Sequence, residues 1–172
     1  MKLKKDFSTP HKTMPELKEL EELVGNFIQY WGFKKIHGRI WAHLYTSQSP
    51  LDSQNLISRL KVSKALMSLA IRDLIEYEVI EAVSIGKHGV TFYQANPDIM
   101  VVITNVLRKR EAVMISAVSS CLDRMSSKNT KELEQAKLDS EKVENVKKMT
   151  ESAQNLLNLF IIQASSGSIE FK

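Results

Sequence analysis

Apolar residues recur at helical spacing soon after the start of the chain. Leu17, Leu20, Val24, Phe27, Ile28 and Trp31 predict a helix from Pro15 to about Tyr30. Pro15 suits the first turn, Glu16 and Glu19 suit the positive end of the helix dipole, and Gly32 is a stop. A second helix is expected after Gly38, with Ile40, Leu44 and Trp41 turned to a core, and Ser49-Pro50 breaks it. Leu51 then stands alone as a one- or two-residue strand. Ahead of the first helix, residues 1–15 carry Ser8, Thr9, Pro10, Pro15 and four lysines, and read as a flexible basic arm.

The pattern tightens between Asp52 and Gln94. Asp52 or Ser53 can cap a short helix with Leu56, Ile57 and Leu60 on its apolar side. Lys61-Val62 is a tight link. Ser63 can cap the next helix, whose buried face is expected to be Leu66, Ala70, Ile71, Leu74 and Ile75. Two short helices on such a link make a helix-turn-helix. A β-prone run, Val79 to Ile85, follows; Gly86-Lys87-His88-Gly89 forms a hairpin tip, and Val90 to Gln94 returns. A helix-turn-helix followed at once by a β-hairpin is a winged helix.

Beyond Asn96-Pro97-Asp98 the period is helical again. Ile99, Val102, Val106, Val113, Ala117, Cys121 and Met125 predict one long helix from Asp98 to about Ser127, with Cys121 buried and inert. A second long segment is expected from Thr130 to about Ala164. Its middle is polar, and its end, Leu156 to Ile162, is apolar nearly all round. Such a helix seldom satisfies itself inside one small chain, so the helical frame is expected to pack on a second copy. The expected fold is therefore mainly α with a small β-hairpin wing. A winged helix-turn-helix domain spans residues 16–97 and a helical dimerisation region residues 98–172.

Composition narrows the functions. Of 172 residues, 43% are hydrophobic and 26% charged, an ordinary globular balance. No apolar run approaches the ~18 residues that a bilayer span needs, and no apolar stretch follows the lysine-rich start. No membrane partner is expected, and the cytoplasm is the default location. One cysteine excludes an intramolecular disulfide framework and a Cys-based zinc site. The four histidines match no metal or catalytic motif; His37 and His43, six apart, read as ordinary polar positions. Neither a phosphate loop nor a nucleophile elbow is present. The protein is not expected to be an enzyme, and no cofactor or metal is implied.

Net charge is only +4, but its distribution is uneven. From Leu23 to Arg72 there are seven basic residues and a single acid, Asp52. A solvated basic face accounts for that stretch as well as a nucleic-acid footprint does. Placing the bases on the helix-turn-helix separates the two. The outward face of the second helix carries Lys64, Ala65, Ser68, Leu69 and Arg72, and Lys64 and Arg72 have the reach to meet guanine edges. Ser53, Gln54, Arg59, Ser63 and Ser68 suit phosphates, while Lys87 and His88 sit at the wing tip. Ser63 also serves as a helix cap, Arg72 has a partner within reach at Glu76, and Arg39 suits an ion pair across a dimer.

These residues resemble the GbsR/MarR-type winged-helix transcriptional regulators. The resemblance covers about half the chain, Leu17 to Asn96. It is carried by Gly38-Arg39-Ile40, Ser49-Pro50-Leu51, Leu60-x-x-Ser63-Lys64, Ser68, Arg72, Leu74 and Val79-Ile80. The chain departs from it at the wing tip, which lacks the family's arginine and aspartate, and at Glu78, where a glycine is usual. The resemblance implies a homodimer that binds pseudo-palindromic operators in double-stranded DNA, with repression the expected sense. Some relatives sense small ligands, so a small-molecule effector is a candidate partner. Phe27, Tyr30, Trp31, Trp41 and Tyr45 would offer it an aromatic box, although the same residues suit a core and dimer-junction cluster. The alternative is a winged helix used for protein–protein assembly without specific DNA binding.

Overall fold

The computed structural model describes residues 14–85, 89–128 and 130–166. The contact pattern divides the chain between Ile99 and Met100 into two compact units. The basic arm lies outside the described residues except for Met14 and Pro15, as do Gly86, Lys87 and His88 of the wing tip.

In the first unit, helix α1 spans Pro15–Tyr30 and ends at Gly32, whose φ of 84° is left-handed. Helix α2, Lys35–Tyr45, begins a turn earlier than its sequence suggests. Gly38 is interior to α2 and is there for a different reason. A Cβ at Gly38 would stand 2.7 Å from the Val24 carbonyl oxygen, so α1 and α2 approach backbone to backbone at this point.

Strand β1, Leu51–Asp52, leads directly into helix α3, Ser53–Leu60. The cap is Asp52, whose Oδ1 accepts the Asn55 amide at 2.7 Å. Lys61, at φ 53°, turns the chain. Ser63 then caps helix α4, Lys64–Glu76, accepting the Leu66 amide at 3.2 Å. The buried face of α4 is Met67, Ala70, Ile71 and Leu74, an i, i+3, i+4, i+7 stripe. Leu66 and Ile75 were expected inside but remain 37% and 40% exposed, because each lies about 100° around the helix from that stripe.

Strands β2, Ile80–Ile85, and β3, Thr91–Ala95, complete an antiparallel sheet of order β1-β3-β2. Leu51 pairs with Tyr93, and a register shift between Ala82 and Ser84 bends β2. Before β2, Glu78 occupies the left-handed region at φ 56°. The core gathers Ile40, Leu44, Leu51, Leu56, Met67, Leu74 and Ile80. Helix-turn-helix and hairpin wing are thus both present, in a chain that is otherwise mostly helical.

In the second unit the expected helix from Asp98 is interrupted. Helix α5, Ile99–Val106, passes through a π-helical turn, Leu107–Glu111, into helix α6, Ala112–Ser126. Cys121 is exposed rather than buried, because the side of α6 that is covered falls at its neighbour Leu122. The segment from Thr130 is also two helices, α7, Thr130–Gln135, and α8, Ser140–Ser165. Lys137 at φ 54° makes the break, and Asp139 restarts the helix by accepting the Glu141 and Lys142 amides. Helix α8 packs on α6, where Lys147 pairs with Asp123 at 2.8 Å.

Candidate nucleic-acid interface

Four of the residues picked out by sequence, Ser53, Lys64, Ser68 and Arg72, line one surface. Lys64, Ala65, Ser68, Leu69 and Arg72 are all exposed along the outer side of α4. Ser53 and Gln54 are exposed in the first turn of α3. Ser53, Lys64, Ser68 and Arg72 meet around a concavity of about 360 Å³, floored by Ile57, Met67, Ile71 and Ile75. Tyr93 of β3 closes its side. Sequence reading did not select Tyr93, because its place depends on β3 pairing with β1. The adjacent aromatics Phe92 and Tyr93 were the available signal.

Each side chain is placed by local structure. Ser63 is engaged as a cap, and its hydroxyl can still donate outward. Lys64 follows at the helix N-terminus, where the free amides also favour an anion. Ser68 and Arg72 come one and two turns later on the same face. The Arg72 guanidinium lies 3.7 Å from Asp73 and is 71% exposed. Arg59 stands apart, half-buried in the last turn of α3, where burial pulls its guanidinium below its usual pKa. Lys87 and His88 lie outside the described residues.

Behind this face, a buried polar framework braces the helices. The Glu21 carboxylate of α1 is 3% exposed and takes bonds from two residues of α2. Arg39 donates to one oxygen at 2.7 Å, and His43 donates to the other. Arg39 also reaches Glu22 at 3.2 Å, so its partners are in its own chain. His37 lies 3.3 Å from Asp73 of α4, and Lys34 donates to the same oxygen at 3.1 Å. Neither His37 nor His43 is an ordinary polar position: both are buried. Burial pushes both imidazoles below the usual pKa, against the opposing pull of Asp73 on His37 and of Glu21 on His43. Their partners lie on other helices, so spacing within α2 could not reveal them.

Four of the five aromatic residues form two pairs. Phe27 and Trp31 of α1 are 6.1 Å apart, and Trp41 stacks on Tyr45 within α2 at 4.6 Å. Tyr30 is exposed. Among the described residues, no group of three His, Cys, Asp or Glu side chains is placed to hold a metal ion, and no helix is long and apolar enough to cross a membrane.

Helix-turn-helix, three-stranded sheet and outward basic helix face define a winged helix-turn-helix fold. A crystal structure of a protein described as a transcriptional regulator matches with a TM-score of 0.65, covering 88% of this chain and 99% of its own. Its sequence identity is 16%, so the likeness is one of fold. No family model matches the sequence, and neither does any curated protein.

Proposed function

We propose that this protein is a dimeric transcriptional regulator of the GbsR/MarR type, a repressor that binds pseudo-palindromic operators with α4 in the major groove. The observation that carries the reading is the joint exposure of Ser53, Lys64, Ser68 and Arg72 around one concavity beside the wing. Lys64 and Arg72 meet base edges, while Ser53, Gln54, Ser63 and Ser68 position the helix on phosphates. The fold neighbour's description as a transcriptional regulator supports the same role. Apolar side chains left in water on α6 and α8, among them Val113, Met114, Leu156 and Ile162, support a second copy as partner.

Fluorescence titration against random and pool-selected duplexes at two salt concentrations tests the reading. Phosphate contacts make log K fall linearly with log salt, and the selected duplex binds more tightly. Absence of salt-sensitive binding would favour the protein-assembly alternative, which the exposed Leu66, Leu69 and Ile75 on α4 support. Light scattering should give twice the 19.6 kDa chain mass. A small quaternary-amine effector would be received by the aromatic pairs of α1 and α2, and thermal shift against such amines tests that.

A further inference from the structure

We propose that Asp73 is a positioning residue for DNA recognition: it ties the recognition helix to the start of α2 and restrains Arg72 from indiscriminate phosphate contact. The inference rests on the DNA-binding reading above and extends it to the source of selectivity.

Asp73 is an acid on the helix that is to face a polyanion, immediately after the residue with the longest reach. Its carboxylate is only 20% exposed and gathers cations from two elements. Lys34, the residue that precedes α2, donates to Oδ2 at 3.1 Å. The His37 Nε2 is 3.3 Å from the same oxygen, and Arg72 is 3.7 Å from Oδ1. Burial raises the Asp73 pKa, but the Lys34 ammonium, helped by Arg72, holds it below its ordinary value, so the group stays ionised. An aromatic seam runs beside this ionic tie. Phe33 meets the His37 ring edge-on at 6.1 Å and the Tyr77 ring edge-on at 5.4 Å, and Tyr77 caps the far end of α4. Polar and aromatic contacts therefore both join the start of α2 to the second half of α4.

Two consequences follow from one carboxylate. The Lys34 bond and the Phe33–Tyr77 contact fix the angle at which α4 leaves the core, and base readout depends on that angle because bidentate bonds are directional. The same charge sits well within a Debye length of Arg72 and offsets part of its attraction for any phosphate. The first effect strengthens binding to the correct duplex. The second weakens binding to every duplex. Together they widen the ratio between specific and non-specific affinity, which is the quantity that governs site selection.

A purely structural residue cannot produce effects of opposite sign, and this gives the test. Asp73→Asn is to be titrated against a duplex selected from a randomised pool and against a random duplex of equal length, at fixed salt. Affinity for the selected duplex is expected to fall about tenfold, the scale of one misaligned base contact. Affinity for the random duplex is expected to rise about threefold, as one opposing charge is removed. Lys34→Gln, at a largely exposed position, guards against misfolding of the first variant; its effect on the selected duplex should vanish in the Asp73→Asn background. Equal changes on both duplexes, no change on either, or independent effects of the two substitutions would overturn the assignment. Failure of the wild-type protein to bind any duplex would instead overturn the DNA-binding reading beneath it.

Discussion

Substituting Gly38 by alanine separates the two roles this glycine could have. At the start of a helix, alanine would be neutral or stabilising, since it is favoured over glycine in helices by about 1 kcal/mol. At the crossing of α1 and α2 the added methyl would lie 2.7 Å from the Val24 oxygen and 2.9 Å from the Gly25 Cα. All three nearest atoms belong to the backbone of α1, so no rotamer change relieves the clash. The helices must part by roughly half an ångström, and a gap of that size forfeits about a quarter of each affected dispersion contact. The overpacking cost is then about 3 kcal/mol, at the upper end of its usual range. Subtracting the helix preference of alanine leaves a net loss of about 2 kcal/mol.

Urea titration followed by far-UV circular dichroism measures that loss as a lower midpoint at unchanged slope. For a unit of this size the melting temperature should fall by roughly 10 °C. Gly25→Ala is the companion variant. Its two nearest neighbours are the Lys35 Cγ at 2.9 Å and the Arg39 Cγ at 3.0 Å, side-chain atoms that can move, and the backbone atom among the nearest three, the Lys35 oxygen, is farther at 3.1 Å, so its loss should be smaller. A Gly38→Ala protein as stable as wild type, or more stable, would refute the close helix crossing.

Three further outcomes are expected. Glu78→Gly should raise stability by about 0.5–1 kcal/mol, because the left-handed φ of 56° costs a side-chain-bearing residue more than glycine's extra unfolded freedom takes back; a lower melting temperature would count against it. Stability should fall on acidification below about pH 6.5, since His37 and His43 are held neutral in the fold by burial while the unfolded chain takes up their protons near that pH. The slope is about 1.4 kcal/mol per pH unit for each histidine until its folded pKa is reached, and a melting temperature flat from pH 7 to pH 5 would contradict it. Arg72→Ala and Lys64→Ala should each weaken binding to the selected duplex by ~1–3 kcal/mol while leaving the melting temperature unchanged, both side chains being exposed; unfolding of either variant would show that the face of α4 is misassigned.

What the sequence made legible was set within a turn or two of the residue concerned. Asp52 and Ser63 could be read as caps because the amide that each satisfies is three residues away. Lys64, Ser68 and Arg72 could be placed on one face because four-residue spacing brings them there whatever α4 packs against. Leu51 could be read as a strand because Ser49-Pro50 isolates it. The phase of α4 was harder: Leu66-Ala70-Leu74 and Met67-Ile71-Leu74 are both helical series, and packing against the rest of the core chose Met67. The breaks at Leu107–Glu111 and Lys137 were hidden for a related reason, since neither contains glycine or proline.

Residues whose work is done across a helix contact left no local signal at all. Glu21 is 22 residues from His43, and Asp73 is 39 from Lys34, so no motif window holds either pair. The basic stretch from Leu23 to Arg72 stops one residue short of the carboxylate that tempers it. Read along the chain, Asp73 is merely where the run of positive charge ends. Read across the fold, it is where two helices meet and where a carboxylate lies 3.7 Å from the Arg72 guanidinium. A helix face built only of cations would bind any duplex, and discrimination needs a fixed angle as well as an attractive charge. The groups that supply attraction were therefore visible in the sequence, whereas the group that would supply the angle becomes visible only when α2 is brought against α4.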